Sequence, residues 1–156
     1  MHRMEEGVKD TPYLDSLGYK TIGIGHLMDS RKGGFLPDHA KRELVREGRL
    51  SAITISSLYR DDLKVVTNLL ERHLPWCFEL DPTRRDVLID MCFQMGIGSE
   101  QRGTGLLGFK NTLRHIKSGN YQQAAVNMGQ SKWYNQAPNR AQRRIDEMAT
   151  GKPHKY

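Results

Sequence analysis

The spacing of apolar residues predicts a chain that is mostly helical after a short, strand-rich start. From Ser51 to about His73, apolar residues recur every three or four positions, which is the period of an amphipathic helix. Asp81-Pro82 predicts the start of another helix, because aspartate is a good N-cap and proline suits the first turn. Apolar residues from Val87 to Met95 lie nearly all round this helix, so we expect it at the centre of a core.

Cap residues divide much of the remaining chain into shorter helices. Pro37-Asp38 predicts a helix to about Glu47, with Asp38 as its cap and Gly48 at its end. From Phe109 onward we predict three or four short helices, with cap positions at Asn120, Ser131 and Ala137. Alanine is a poor N-cap because its side chain offers no acceptor to the free backbone N–H groups.

The first part of the chain predicts a helix end followed by a small hairpin. Gly7 is suited to end a short helix over residues 1–6, because glycine adopts the left-handed conformation freely. Strand-like runs at 13–14 and 19–22 flank a turn sequence over 15–18. This layout predicts that three polar side chains come together: Glu6, Asp15 and Thr21.

Composition limits the class of protein and partner. A length of 156 residues fits one domain or two small lobes that share a core. The net charge of +6 suits nucleic acid, an acidic membrane surface or an anionic wall polymer. Basic residues are spread along the chain, which argues against nucleic acid, and a solvated surface is the simplest explanation. No apolar run is long enough to predict membrane insertion, and we expect no signal peptide.

The sequence offers little for metal, cofactor or disulfide chemistry. Cys77 and Cys92 are too few for a disulfide scaffold, so we expect free thiols, with Cys92 buried in an apolar run. No His/Cys/Asp cluster has metal-ligand spacing, and Gly23-Ile24-Gly25 is too short for a nucleotide fingerprint. We therefore expect neither a metal nor a cofactor.

Four motifs follow one another along nearly the whole chain. They are Glu5-Glu6-Gly7 with Tyr13-Leu14-Asp15 and the run Gly18 to His26, then Phe93-Gln94-Met95-Gly96, then Ala124 to Asn127, and last Trp133 to Ala141. In this order they resemble the T-even bacteriophage lysozymes, a family of muramidases that cut peptidoglycan. The loops 29–36 and 97–108 depart from the family by being longer.

The resemblance implies a mostly helical α+β fold, the two-lobed lysozyme fold, as a single domain over 1–156. An N-terminal lobe over about 7–57 holds the β-hairpin, and a helix over about 51–73 links the lobes. The helical C-terminal lobe covers about 74–156 and is joined by the N-terminal helix 1–6. The saccharide cleft is expected between the lobes.

The resemblance also assigns roles. Glycoside hydrolysis needs a proton donor and a group that activates water. Glu6 is the expected donor, because helix carbonyl dipoles disfavour its charge, and Arg140 is expected near it. Asp15 and Thr21 are expected to hold the attacking water. Asp15 also suits a turn, and Thr21 suits a strand.

Other residues match family positions around the substrate. The expected saccharide-lining residues are Leu27, Phe93, Gln94, Thr112 and Asn127. Phe93 fits a core position equally well, and Trp133 is expected in the core. His26 could act as a base, but a hydrogen-bonded structural role with Asp62 on the long helix is favoured.

The expected function is inverting hydrolysis of the β-1,4 bond between N-acetylmuramic acid and N-acetylglucosamine, for host lysis by a phage. The protein is expected as a monomer in the host cytoplasm, reaching the periplasm and wall through a holin-type pore. Two alternatives stay open: a lytic transglycosylase, and a tail-associated wall-binding module. Asp15 and Thr21 argue against the first. Glu6, Asp15 and Thr21 together argue against the second, which would be a module that has lost activity.

Overall fold

The computed structural model describes residues 8–15 and 18–155, which form two compact units over 8–65 and 66–155. It confirms a mostly helical α+β fold with a small antiparallel sheet. The predicted helix over 1–6 and Glu6 lie outside the described residues. None of the described helices is both long and apolar enough to cross a membrane.

The N-terminal unit contains a three-stranded sheet and helices. Its elements are β1 (Lys9–Leu14), β2 (Lys20–Gly23), β3 (His26–Leu27), a 3₁₀ turn (Ser30–Lys32), α1 (Asp38–Glu47) and the first part of α2 (Ala52–His73). The strands pair in the order β1-β2-β3, which confirms the hairpin and adds a third strand that was not predicted. Pro12 lies in an irregular stretch of β1, an edge strand where proline is tolerated.

The core of this unit forms under the sheet and between its helices. It consists of Ile22, Leu36, Ala40, Leu50, Ile55 and Leu58. Ile22 comes from β2 and has no exposed surface, so one face of the sheet packs on this core.

Caps fix where the two helices of this unit start. Asp38 is the first residue of α1 and Pro37 occupies the cap position, so the predicted Asp38 cap was wrong by one residue. Ser51 does cap α2, because its hydroxyl accepts from the Thr54 amide at 3.3 Å. The Glu43 carboxylate accepts from the Ser51 amide at 2.6 Å, and this bond lowers the pKa of Glu43.

The C-terminal unit is helical throughout its regular elements. After α2 come a 3₁₀ turn (Pro75–Glu79), α3 (Pro82–Met95), a second 3₁₀ turn (Leu106–Gly108), α4 (Lys110–Lys117), α5 (Tyr121–Gly129), α6 (Lys132–Gln136) and α7 (Pro138–Thr150). As predicted, α3 lies in the core of this unit, with Val87, Leu88 and Met91 fully buried. Trp133 is also in this core, as predicted.

The predicted caps of the later helices hold in part. Asp81 caps α3 by accepting from the Arg84 amide at 3.1 Å, and Ser131 caps α6 by accepting from the Tyr134 amide at 3.2 Å. Asn120 is the N-cap residue of α5, as predicted, but its side chain makes no capping hydrogen bond. Its amide group instead lies 3.5 Å from the His115 ring.

A charged cluster is buried in the C-terminal core. Arg144 has no exposed surface and lies between Asp90 on α3, at 3.3 Å, and Glu147 one turn along α7, at 2.7 Å. Asp90 also accepts from Gln94 Nε2 at 2.7 Å, and Gln94 Oε1 accepts from Trp133 Nε1 at 3.1 Å. The mutual contacts satisfy charges that would be costly to bury alone.

Cys77 and Cys92 are free thiols in the same core, as predicted. Burial raises the pKa of Cys77 to about 11 and that of Cys92 to about 12.

The poor cap of α7 gives a stability prediction. Ala137 occupies the N-cap position without any side-chain hydrogen bond. We predict that Ala137→Thr raises the free energy of unfolding by about 0.5–2 kcal/mol, because the hydroxyl can accept from a free backbone N–H. Ser131→Ala is the matched control and should lower it by a similar amount. Urea denaturation of the three proteins measures both changes, and an unchanged midpoint for Ala137→Thr would contradict the prediction.

Candidate active site

The three strands bring predicted site residues into one row. In the sheet, Thr21 pairs with Tyr13 on one side and with Leu27 on the other. Residues directly opposite each other in antiparallel strands share a face. Thr21 and Leu27, both predicted site residues, are therefore cross-strand neighbours.

This row points away from the core of the N-terminal unit. The adjacent pair Ile22 and His26 lies on the other face, where Ile22 is buried and His26 reaches Asp62 on α2. Because successive side chains alternate between faces, Thr21 and Leu27 belong to the opposite face.

Asp15 follows β1 directly and is fixed by the turn. By alternation from Tyr13 it falls on the Thr21 face. Its carboxylate accepts from the Tyr19 amide at 2.8 Å, and its own amide donates to the Tyr19 carbonyl at 2.9 Å. Burial and the charge of Asp15 raise the pKa of Tyr13, in accord with their sharing a face. The turn role is confirmed, and the site role stays a prediction.

The Thr21 hydroxyl has a defined orientation. It donates to the Tyr19 carbonyl at 2.9 Å, and the residue is only 4% exposed. Since a hydroxyl has one hydrogen and two lone pairs, the oxygen can still accept a hydrogen bond. The Tyr19 backbone thus orients both Asp15 and Thr21.

His26 has a structural position, as favoured from the sequence. Its Nδ1 lies 2.8 Å from the Asp62 carboxylate and its Nε2 lies 2.6 Å from the Phe35 carbonyl. Burial lowers the pKa of His26, but the bonds to Asp62 and Phe35 outweigh it and raise the pKa. Both ring nitrogens face acceptors, which suits the protonated ring and leaves neither nitrogen for a base role.

The remaining predicted residues lie in the C-terminal unit. Phe93 and Gln94 are in the last turn of α3, Thr112 is buried in α4, Asn127 is on α5 and Arg140 is half-buried in the first turn of α7. Gln94 uses its amide within the core, and Asn127 Oδ1 accepts from Gln123 Nε2 at 3.1 Å. The roles predicted for these residues, and that of Glu6, stay predictions.

The structure adds a cluster that the sequence did not indicate. Asp29 binds the Arg31 guanidinium through both carboxylate oxygens, and the cations of Arg31 and Lys32 lie over the Tyr19 ring. Asp29 is the N-cap of the 3₁₀ turn (Ser30–Lys32), which lies within the predicted loop 29–36. The sequence signal available for this pairing was an aspartate two residues before an arginine.

No group of three or more His, Cys, Asp or Glu within residues 8–15 and 18–155 is arranged to hold a metal ion.

Comparison with known proteins decides the family. The family model described as phage lysozyme matches residues 3–147. The chain belongs to the phage lysozyme family. The matched range includes the described sheet, α1 to α6 and most of α7, and also Glu6.

Three relatives show how widely this family domain occurs. Probable T4-type lysozyme 1 of Dictyostelium discoideum is 32% identical over all of this chain and 95% of its own length. The pre-baseplate central spike protein Gp5 of Enterobacteria phage T4 is 28% identical over all of this chain, but over 28% of its own length. Peptidoglycan hydrolase gp36 of Pseudomonas phage phiKMV is 29% identical over 92% of this chain and 14% of its own length.

Family membership sets the general activity. The chain is a lysozyme-type peptidoglycan hydrolase. This agrees with the resemblance of its four motifs and with its mostly helical α+β fold.

The His26 contacts give a prediction of pH dependence. A histidine pKa raised above its ordinary value of 6.5 stabilises the fold below that value, and the stabilisation is lost as pH rises through the folded pKa. Asp62→Asn should lower the pKa of His26 and reduce the free energy of unfolding below pH 6.5 by about 1–3 kcal/mol.

NMR titration of the His26 ring and urea denaturation across pH 5–9 measure the two effects. Asp61→Asn is the control, because Asp61 acts on His26 through its charge alone. It should change the pKa of His26 and the free energy of unfolding less than Asp62→Asn does. Equal effects of the two variants would show that the Asp62 hydrogen bond is unimportant.

Proposed function

We propose that the protein is an inverting N-acetylmuramidase, which hydrolyses the β-1,4 bond between N-acetylmuramic acid and N-acetylglucosamine. The observation that carries this proposal is the strand register, by which Asp15 and Thr21 share the face of the sheet opposite the buried Ile22. Family membership supplies the reaction class, and the chemistry of these side chains favours a bound water.

Asp15 and Thr21 can hold that water in complementary ways. The Thr21 hydrogen is committed to the Tyr19 carbonyl, so its oxygen would accept one hydrogen bond from the water. An ionised Asp15 would accept the second hydrogen bond from the water and would take that proton as the water attacks. With both hydrogens bound, a lone pair of the water is free for the anomeric carbon. Diagonal neighbours in such a sheet have Cα atoms about 7–8 Å apart, which leaves room for a water between their side chains.

Glu6 is the proposed proton donor to the leaving oxygen. Its position in the matched family range and in the Glu-Glu-Gly motif supports this role. Arg140 is proposed as the cation that assists it. Leu27, Phe93, Gln94, Thr112 and Asn127 are proposed to bind the saccharide.

The proposed biological role is host lysis by a phage. The protein would act as a monomer, made in the host cytoplasm and released to the wall through a holin-type pore. Expression in a Gram-negative host with and without a pore-forming protein tests this role. Clearing that requires the pore supports it, and clearing without the pore contradicts it.

A second candidate role is that of a wall-degrading module in a phage tail. The similarity to the central spike protein Gp5 over this whole chain favours it. In that role the domain would act from outside the cell. Purified virions containing the chain, detected by mass spectrometry, would favour the tail role over the lysis role.

The first functional prediction concerns Glu6. Glu6→Gln keeps the shape of the side chain but removes the acidic proton. Because positioned acid catalysis contributes about 10²–10⁴-fold, the rate of clearing should fall at least that far. Turbidity of permeabilised Gram-negative cells measures the rate.

Glu71→Gln is the matched control, since Glu71 is an exposed glutamate on α2. It should clear cells at the wild-type rate. Near-normal clearing by Glu6→Gln would rule out Glu6 as the acid.

The second functional prediction concerns stereochemistry. A water held by Asp15 and Thr21 attacks opposite the leaving group, so one displacement turns a β-linked substrate into α product. This geometry places the acid and base carboxyls about 6.5–9.5 Å apart, whereas a covalent nucleophile needs about 5–5.5 Å. Proton NMR of an early digest distinguishes the anomers. Early β product would contradict the proposal, and 1,6-anhydro ends in a mass spectrum would indicate a lytic transglycosylase.

A further inference from the structure

Acidic residues are missing from one long part of the chain. Residues 101–145 contain eight of the 24 Lys and Arg residues but none of the 18 Asp and Glu residues. The formal charge of these residues is therefore +8, whereas the rest of the chain has a formal charge of −2. We call residues 101–145 the acid-free segment. It lies entirely in the C-terminal unit and carries the whole positive excess of the protein.

The cations of α4 lie on one exposed side of that helix. Lys110, Arg114 and Lys117 follow one another at i, i+4 and i+7, which is the spacing of one helix face. All three are exposed, and we call them the basic stripe. Leu113 and Ile116 are buried on the other side of the helix, where they belong to the C-terminal core.

The basic stripe is not neutralised by ion pairs. Elsewhere on the surface cations meet carboxylates, as Arg46 meets Glu47 at 2.9 Å. Lys110, Arg114 and Lys117 make no ion pair with any residue that the structure describes. Their charges are therefore available to an anionic partner.

Helix stability explains only part of the stripe. Arg114 and Lys117 are near the C-terminal end of α4, where the helix dipole favours cations. Lys110 is the first residue of α4, where the dipole favours an anion, and no acidic residue lies in that first turn. The stripe thus places a cation where its own helix is better served by a carboxylate.

The side chains of the acid-free segment, all of which the structure describes, favour a membrane surface over a nucleic acid strand. Its aromatic residues are buried or half-buried, so none offers an exposed ring on which bases could stack: Phe109, Tyr121, Trp133 and Tyr134. Helix α5 packs on α4 and exposes an aliphatic side chain, Val126, to 52%. A basic surface with an exposed aliphatic group suits the interface of an anionic bilayer.

We propose that the acid-free segment docks on anionic phospholipid, with the basic stripe of α4 facing the lipid phosphates. The protein then lies on the membrane surface without inserting, because the apolar side of α4 is already used in the core. Each Lys or Arg near such a surface favours binding, and the absence of carboxylates removes the repulsion that would oppose it. Docking of this kind goes beyond the proposed hydrolysis and does not require it.

Flotation with lipid vesicles tests the proposal on the full chain. One set of vesicles is pure phosphatidylcholine, which has no net charge. The other set is an equimolar mixture of phosphatidylcholine and phosphatidylglycerol, which is anionic. The protein should bind the anionic vesicles and not the neutral ones. Binding should disappear in 1 M salt, because charges are then screened over about 3 Å.

The test variant removes the basic stripe by Lys110→Gln, Arg114→Gln and Lys117→Gln. Its affinity for anionic vesicles should fall about ten- to a hundredfold, since up to about fivefold is lost with each cation near the surface. Urea denaturation checks that the variant is folded.

The matched control removes three exposed cations from the N-terminal unit by Lys41→Gln, Arg42→Gln and Lys64→Gln. It has the same net charge as the test variant. Its affinity for anionic vesicles should stay within about twofold of that of the wild type, because these cations lie outside the proposed docking segment.

A second variant, Asn111→Asp, separates binding from folding. Asn111 is exposed in the first turn of α4. A carboxylate there is favoured by the helix dipole, so the fold is not weakened. The same carboxylate repels lipid phosphates, and the affinity for anionic vesicles should fall about two- to fivefold.

Three outcomes would overturn the proposal. Equal loss of affinity in the test and control variants would show a general effect of net charge. Full affinity of the test variant would show that the basic stripe does not contact lipid. A larger loss of affinity for a short DNA duplex than for the anionic vesicles, in the test variant, would assign the segment to nucleic acid. Failure of the proposed function would appear separately, as normal clearing by Glu6→Gln in the turbidity assay.

Discussion

The candidate site depends on the register of three short strands. A slip by one residue would exchange the two faces of the sheet and would place Ile22 and His26 where Thr21 and Leu27 now lie. The core opposes such a slip in two ways. Ile22 would leave its buried position, and the His26 imidazole would lose both Asp62 and the Phe35 carbonyl. His26 therefore affects the candidate site only indirectly. It helps to fix the strand register, and the register places Thr21 and Leu27 on the face opposite the core.

In the C-terminal unit, buried polar groups likewise fix the orientation of a side chain. Asp90 is acceptor-only when ionised, and the Trp133 indole is donor-only. Gln94 lies between them, so its amide nitrogen must face Asp90 and its oxygen must face Trp133. Arg144 Nη1 lies 3.3 Å from the same Asp90 carboxylate. Burying Asp90, Arg144 and Glu147 is costly because these groups lose their hydration. The arrangement nevertheless leaves the Gln94 amide, at the end of α3, with one defined orientation.

Local signals in the sequence predicted most helix positions. Asp81-Pro82, Ser131 and Gly48 act as caps or stops with no help from distant residues. The features that the sequence did not indicate needed tertiary information. Strand β3 is two residues long and exists only because β2 offers it a partner. Asn120 lacks its capping bond although its residue type favours one, and Glu43 caps α2 from eight residues before Ser51.

The candidate site and the buried charges show the same difference between what local sequence indicates and what depends on tertiary packing. The motif order identified Asp15, Thr21 and Leu27, and the strand register brings them to one face. The buried group of Asp90, Arg144 and Glu147 was not predicted, although Arg144 and Glu147 have helical i, i+3 spacing and Asp90 interrupts an apolar run. Pairing of charges across 54 positions of the chain depends on how α3 packs against α7, which periodicity does not encode.

The two buried thiols have a consequence for redox chemistry. Thiol–disulfide exchange requires a thiolate, and with a pKa of about 11 for Cys77 and about 12 for Cys92, roughly one thiol in ten thousand or fewer is ionised at neutral pH. Their burial also denies an attacking disulfide access to either sulfur. Both thiols are therefore poorly placed to react with a disulfide outside the protein while the chain stays folded.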